Sequence, residues 1–173
     1  MTTLIWAANL LGWPVIHLGV AKIILSIPLE RFANNKTPYA IRRWERDGDI
    51  YREYLGIRRW KSLLPDGAPW LGGFSKKRLA SRNQQYLQVF IRETRRAEFA
   101  HWCMLLCFPV FFLWNPPWAC WVMAGYAVAA NLPCIVAQRY NRLALQRLLD
   151  RLQSPSPLVT EIQPDRNSRV NAD

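Results

Sequence analysis

From Phe99 to Gln138 the chain carries no Asp, Glu, Lys or Arg. As one helix, that run of about forty residues would be about 60 Å long, roughly twice the hydrocarbon thickness of a bilayer. Asn115-Pro116-Pro117 stands at its middle. Two successive prolines remove two backbone donors and obstruct the preceding turn. The stretch therefore reads as a transmembrane hairpin with arms over about 102–114 and 118–137. A second apolar run covers about 4–25, interrupted by Lys22 and holding His17. It lacks the basic start and the small-residue cleavage pattern of a secretory signal, so it is read as a retained first span.

Sixteen of the 23 Lys and Arg residues lie between Glu30 and His101, and six follow Ala137; the extreme N-terminus and the hairpin tip have none. The positive-inside tendency then puts the N-terminus outside, and segment 30–101 and the C-terminus in the cytoplasm. A multi-pass protein of the cell (inner) membrane is expected, with its active site at the cytoplasmic leaflet. The net charge of +11 would suit nucleic acid. Beside spans of hydrocarbon length, attraction to anionic headgroups explains it more simply, so membrane lipids are the expected partners and nucleic acid is not.

With 173 residues the chain makes one unit: an all-α membrane protein with three transmembrane helices, a single domain over 1–153 and a polar, proline-rich tail over 154–173 expected to be disordered. In the basic segment Trp44, Trp60 and Trp70 alternate with Arg42-Arg43, Arg58-Arg59 and Lys76-Lys77-Arg78, a pattern suited to the headgroup layer. Pro65-Asp66-Gly67 signals a turn. From about Asn83, Tyr86, Phe90, Glu93, Ala97 and His101 recur at helical spacing, and no proline separates them from the second span. After the third span Leu145, Leu148, Leu149 and Leu152 oppose Arg142, Arg147 and Arg151, which predicts a short interfacial amphipathic helix. Cys103, Cys107, Cys120 and Cys134 all fall in the spans without a Cys-x-x-Cys pair and read as packing residues.

Folding the run about Pro116 sets His101 level with Asn131, Glu98 with Cys134, and Glu93 with Arg139. Asn131, Gln138 and Arg142 share one face of the third helix. Glu98, three residues before His101, is placed to orient the imidazole and stabilise its protonated form, as a general base requires. Asn131 lies deep in a span and needs a partner; an oxyanion forming on a carbonyl would supply one. Glu93 is about 12 Å along the axis from His101 and pairs with Arg139 in this reading. Each residue also has a plainer reading. His101 beside Trp102 suits a membrane boundary, Asn131 suits helix adhesion, and His17 suits packing. Glu98-x-x-His101 is half of a di-iron motif whose second half is missing. No nucleophile elbow, phosphate-binding loop or dinucleotide fingerprint occurs, and neither His is followed by Asp at the fifth position. Spacing alone supports a membrane protein with a polar site at its rim.

Three blocks go further: Ile57-Arg58-Arg59-Trp60-Lys61 leading into Leu64-Pro65-Asp66-Gly67; Glu93 through Trp102; and Asn131-Leu132-Pro133 leading to Gln138-Arg139-Tyr140-Asn141-Arg142. In order and spacing they resemble the glycosyl-4,4'-diaponeurosporenoate acyltransferase family, small bacterial membrane enzymes of staphyloxanthin-type carotenoid biosynthesis, over about residues 4–152. Leu143-Ala144 departs from the Pro-Arg of the family pattern. The resemblance implies transfer of a fatty acyl group to the glucose 6-hydroxyl of a glycosylated carotenoid or related glycolipid. His101, supported by Glu98, would take the hydroxyl proton, while Asn131 and Arg139 would stabilise the oxyanion. Arg142 would hold a phosphate-bearing donor, with Glu93, Gln138 and Asn141 completing the substrate-binding set. Acyl-CoA or another activated acyl carrier is the implied co-substrate, with no metal or resident cofactor; a homo-oligomer is left open. The alternatives are a lipid methyltransferase or reductase, and a non-catalytic membrane assembly partner.

Overall fold

Hydrocarbon offers the backbone no hydrogen-bond partner but itself, so apolar runs of this length become helices. The computed structural model describes residues 2–34, 38–65, 71–75 and 79–154. Most of the predicted turn at Pro65-Asp66-Gly67, Trp70, Lys76-Lys77-Arg78 and the tail from residue 155 lie outside the described residues. Helix α1 (Thr2–Leu25) is followed by short helical pieces: 3-10 turns at Leu29–Phe32 and Arg43–Gly48, α2 (Asp49–Glu53), α3 (Ile57–Trp60) and a turn at Lys61–Leu63. Two long helices then form the hairpin, α4 (Gln84–Leu106) and α5 (Pro117–Gln153). Three stretches, Thr3–Leu25, Gln84–Leu113 and Pro117–Gln153, are long and apolar enough to cross a membrane.

The first arm of the hairpin differs from the expected helix over 102–114. Asn83 caps α4 by accepting the Gln85 N–H at 2.8 Å, and the helix runs unbroken to Leu106. Pro109 cannot donate to the carbonyl of Leu105, and the chain tightens into a 3-10 helix over Phe108–Leu113. Pro117 then opens α5 at a position where its missing donor costs nothing. Helix α5, 37 residues and about 55 Å long, absorbs the stretch expected as a separate amphipathic helix. Packing explains the continuity: Leu145 and Leu149 bury against Leu87, Phe90 and Ile91 of α4.

Helix α1 lies antiparallel to α4. Ile24 packs with Ala100 and Met104, and Trp13 stacks on Phe111 with ring centroids 4.7 Å apart. Gly12 permits this approach, because a Cβ there would come within 3.0 Å of Phe111 Cε1. At the hairpin tip two amides satisfy one another. Asn9 Nδ2 donates to Asn115 Oδ1, and Asn115 Nδ2 donates back to Asn9 Oδ1, each at 2.8 Å. Trp114 Nε1 donates to the same Asn9 oxygen at 2.8 Å.

The opposite, basic end is locked by charge. Arg139 donates through Nε and Nη2 to Glu45, both at 3.0 Å, and through Nη1 to Glu98 Oε1 at 3.0 Å. Arg142 Nη1 donates to Glu98 Oε2 at 2.7 Å. Glu45 also accepts from Tyr51 Oη at 2.6 Å and from the Arg42 N–H. Both carboxylates are only 1% exposed, and such buried ions are tolerable only when paired this completely. The predicted pairing of Glu93 with Arg139 is therefore replaced. Glu45, brought in by the loop, takes Arg139, and Glu93 pairs with Arg96 one turn along its own helix. Three successive left-handed residues form the turn after Glu45: Arg46 (φ 45°), Asp47 (φ 54°) and Gly48 (φ 93°). Burial pushes the Glu45 carboxyl up, but hydrogen bonds from Arg139, Tyr51 and the Arg42 N–H outweigh it and hold it below the ordinary value. Burial, with the hydrogen bond to Glu45, pushes Tyr51 up to about 12.

Two expectations follow for the detergent-solubilised protein. Because the Glu45 carboxyl is depressed on folding, its contribution to stability is present above pH 4.5 and is lost as pH falls through the lower folded value. Acid-unfolding curves of E45Q should lack that component; curves with identical pH slopes would contradict the pairing. N115A should cost about 1–2 kcal/mol in denaturant unfolding by removing the tip amide pair, and an unchanged midpoint would show the pair to be idle.

Candidate active site

His101 on α4 and Asn131 on α5 meet with Nδ1 and Oδ1 3.0 Å apart. Asn131 Nδ2 donates to the carbonyl of Ala127, one turn back, at 2.9 Å. A carbonyl only accepts, so this bond fixes which end of the amide faces the imidazole. The Asn131 oxygen must then accept from a protonated Nδ1. In the neutral ring the basic lone pair therefore resides on Nε2, the tautomer needed by a base acting through that atom. Asn131 is 1% exposed, and its two bonds leave it little freedom to rotate.

These two residues line a cavity of about 560 Å³ between α1, α4 and α5. Glu93, Arg96 and Gln138 line it together with Leu64, Pro65 and Leu71 of the connecting segment; His17 and Tyr126 also line it. Along α5 the distance from Tyr126 to Gln138 is about 18 Å, so the space is elongated along the helices, with His101 between its two ends. Alanines at 21, 97, 100, 129 and 130 leave room for it. Gln138 Oε1 is buried and has no hydrogen-bond partner among the described residues, which marks it as an acceptor suited to a ligand hydroxyl.

Four of the residues singled out in sequence thus share the cavity: His101, Asn131, Glu93 and Gln138. The others do not. Glu98 spends both oxygens on Arg139 and Arg142, so the expectation that it orients His101 is corrected; Asn131 does that instead. Asn131, with its oxygen on the imidazole, takes an orienting role in place of the expected oxyanion contact. Arg142 is 2% exposed against Glu98 and does not line the cavity, so it is not positioned to hold a donor phosphate. Asn141 accepts from Lys61 Nζ at 3.0 Å, also away from the cavity. Arg139 lines a separate groove.

Three cavity residues were not foreseen: His17, Tyr126 and Arg96. His17 was read as a packing residue, and it does contact Trp13 and Tyr126, with centroids 5.7 and 6.5 Å away. An ionisable residue inside a span was the available signal for its second role. Arg96 was visible only as one arginine among many.

A family model described as glycosyl-4,4'-diaponeurosporenoate acyltransferase matches residues 35–151. The protein of that name from Staphylococcus haemolyticus (strain JCSC1435) is 33% identical over 135 residues, covering 78% of each chain. Its counterpart in Staphylococcus aureus (strain bovine RF122 / ET3-1) is 30% identical over 139 residues, 79% of this chain and 83% of the relative. No solved structure matches. The family match spans the paired histidine and asparagine, the ion lattice and both arms of the hairpin, and on that extent the chain belongs to the glycosyl-4,4'-diaponeurosporenoate acyltransferase family.

Proposed function

We propose that this acyltransferase esterifies a fatty acyl group onto a sugar hydroxyl, the glucose 6-hydroxyl, of a glycosylated carotenoid or related glycolipid. The reaction is assigned to the cytoplasmic leaflet of the cell membrane, where the basic end of the helices would lie. The observation that carries the reading is the His101–Asn131 pair, which presents Nε2 as the basic nitrogen of a ring lining an elongated cavity.

A sugar hydroxyl is a weak nucleophile at neutral pH. His101 Nε2 accepts its proton as the oxygen bonds to the acyl carbonyl carbon. Negative charge then develops on the former carbonyl oxygen, and Arg96 is the cation that lines the cavity among the described residues. Collapse of the tetrahedral species releases the donor's leaving group, which takes the proton back from His101 and leaves the ester. Asn131 holds Nδ1–H throughout and so keeps the imidazole in one tautomer as its charge changes. Glu93, Arg96 and Gln138 combine carboxylate, guanidinium and amide, the groups that hydrogen-bond sugar hydroxyls. Leu18, Ala21, Met104 and Ala130 give apolar wall for a tail. Acyl-CoA or another activated acyl carrier serves as co-substrate in this scheme, with no resident cofactor.

The test is mass-spectrometric assay of purified protein in nanodiscs with a glycosylated carotenoid acceptor and an acyl-CoA donor. H101A should lower kcat by about 10²–10⁴-fold. N131A should lower kcat about tenfold with little change in KM, as expected of a residue that orients a base. Near wild-type turnover by H101A would refute the assignment.

A further inference from the structure

A second groove, of about 710 Å³, shares no lining residue with the His101 cavity among the described residues. Its floor is apolar: Leu132, Ile135 and Val136 of α5, with Trp102 of α4. Its basic lining includes Arg42 and Arg46 from the segment before α2. We propose that this groove binds an anionic glycerophospholipid, its phosphate between Arg42 and Arg46 and an acyl chain along Leu132, Ile135 and Val136.

Charge argues for the headgroup. Both arginines are exposed, and among the described residues Arg42 has no carboxylate within ion-pair distance. Arg46 meets Glu53 only at 3.8 Å across an exposed gap. Glu45, the carboxylate nearest Arg42 in sequence, is buried and committed to Arg139, Tyr51 and the Arg42 N–H. The exposed Asp47 beside Arg46 neither lines the groove nor, among the described residues, pairs with either arginine. Guanidinium groups suit phosphate oxygens geometrically as well as electrostatically. The backbone adds a second observation: Arg46, which lines the groove, and its neighbour Asp47 are the two non-glycine residues with positive φ among those described. Such strain persists where surrounding contacts over-determine it, and it clusters at binding sites.

Position argues for a bilayer lipid over the acyl donor. Trp102 is 37% and Leu132 43% exposed, so the floor opens sideways on the face that meets hydrocarbon. A lipid can slide in from the membrane plane without passing the basic segment. A donor carbonyl, by contrast, must reach His101, which lines the other cavity.

Intrinsic tryptophan fluorescence of the full chain in nanodiscs tests this, with dibrominated phosphatidylglycerol or dibrominated phosphatidylcholine as quencher, since Trp44 and Trp102 line the groove. Two arginines at the surface should give the anionic lipid a preference on the order of tenfold. That preference should vanish in R42Q/R46N, chosen because asparagine tolerates a left-handed backbone, and its quenching by phosphatidylcholine should stay at the wild-type level, which reports an intact fold. It should also vanish in W44F/W102F, which removes the reporters and leaves the arginines. Equal quenching of the wild type by the two lipids, or a preference retained by R42Q/R46N, would overturn the proposal. So would displacement of the brominated phosphatidylglycerol by equimolar palmitoyl-CoA, which would make the groove a donor site.

Discussion

Hydrocarbon cannot hydrogen-bond, so an amide on α5 at membrane depth has to be met by a polar group at the same depth on a neighbouring helix. In this chain Asn131 is met by His101, and the register of the hairpin decides that meeting. Twin prolines at 116 and 117 set where the chain reverses, and the Asn9–Asn115 pair ties α1 to the same turn. A shift of one residue along α5 would rotate Asn131 by about 100° and break its bond to His101.

Charge secures the same register at the far end. Arg139 and Arg142 project from α5 to Glu98 on α4, and Arg139 continues to Glu45 in the connecting segment. Three separate parts of the chain are thereby joined by two carboxylates and two guanidinium groups. Breaking one member would strand a buried charge, so the lattice tolerates little rearrangement. Its position one turn from His101 gives the base a rigid support without touching it. This division uses ions for support and an amide for orientation, and among the described residues Glu93 and Arg96 are the Asp, Glu, Lys or Arg side chains that line the cavity. Gln138 and the Glu93–Arg96 pair add to the polar lining that His101 and Asn131 begin.

The hairpin and the His101–Asn131 level were legible because both follow from local counting along helices that reverse at a visible proline pair. The end of α4 at Leu106, just before Pro109, was legible in principle too, since a proline interrupts a ladder wherever it falls. Glu93 was assigned to Arg139 because Glu45, which takes that arginine, lies some fifty residues before Glu93, and helical spacing carries no information about that approach. His17 escaped for a related reason: nothing in the sequence sets the rotation of α1 against the hairpin. That rotation is decided by Gly12 admitting Phe111 and by the amides at the tip. The predicted phosphate site at Arg142 failed on burial, which composition does not report.

The account turns on which nitrogen of His101 carries the proton. Nitrogen-15 NMR of histidine-labelled protein in nanodiscs reads this directly, and H17Q leaves His101 as the sole reporter, since the chain has two histidines. The geometry predicts that the neutral form of the ring is protonated at Nδ1, with that preference lost when N131A removes the acceptor. A ring protonated at Nε2, or one indifferent to Asn131, would contradict it.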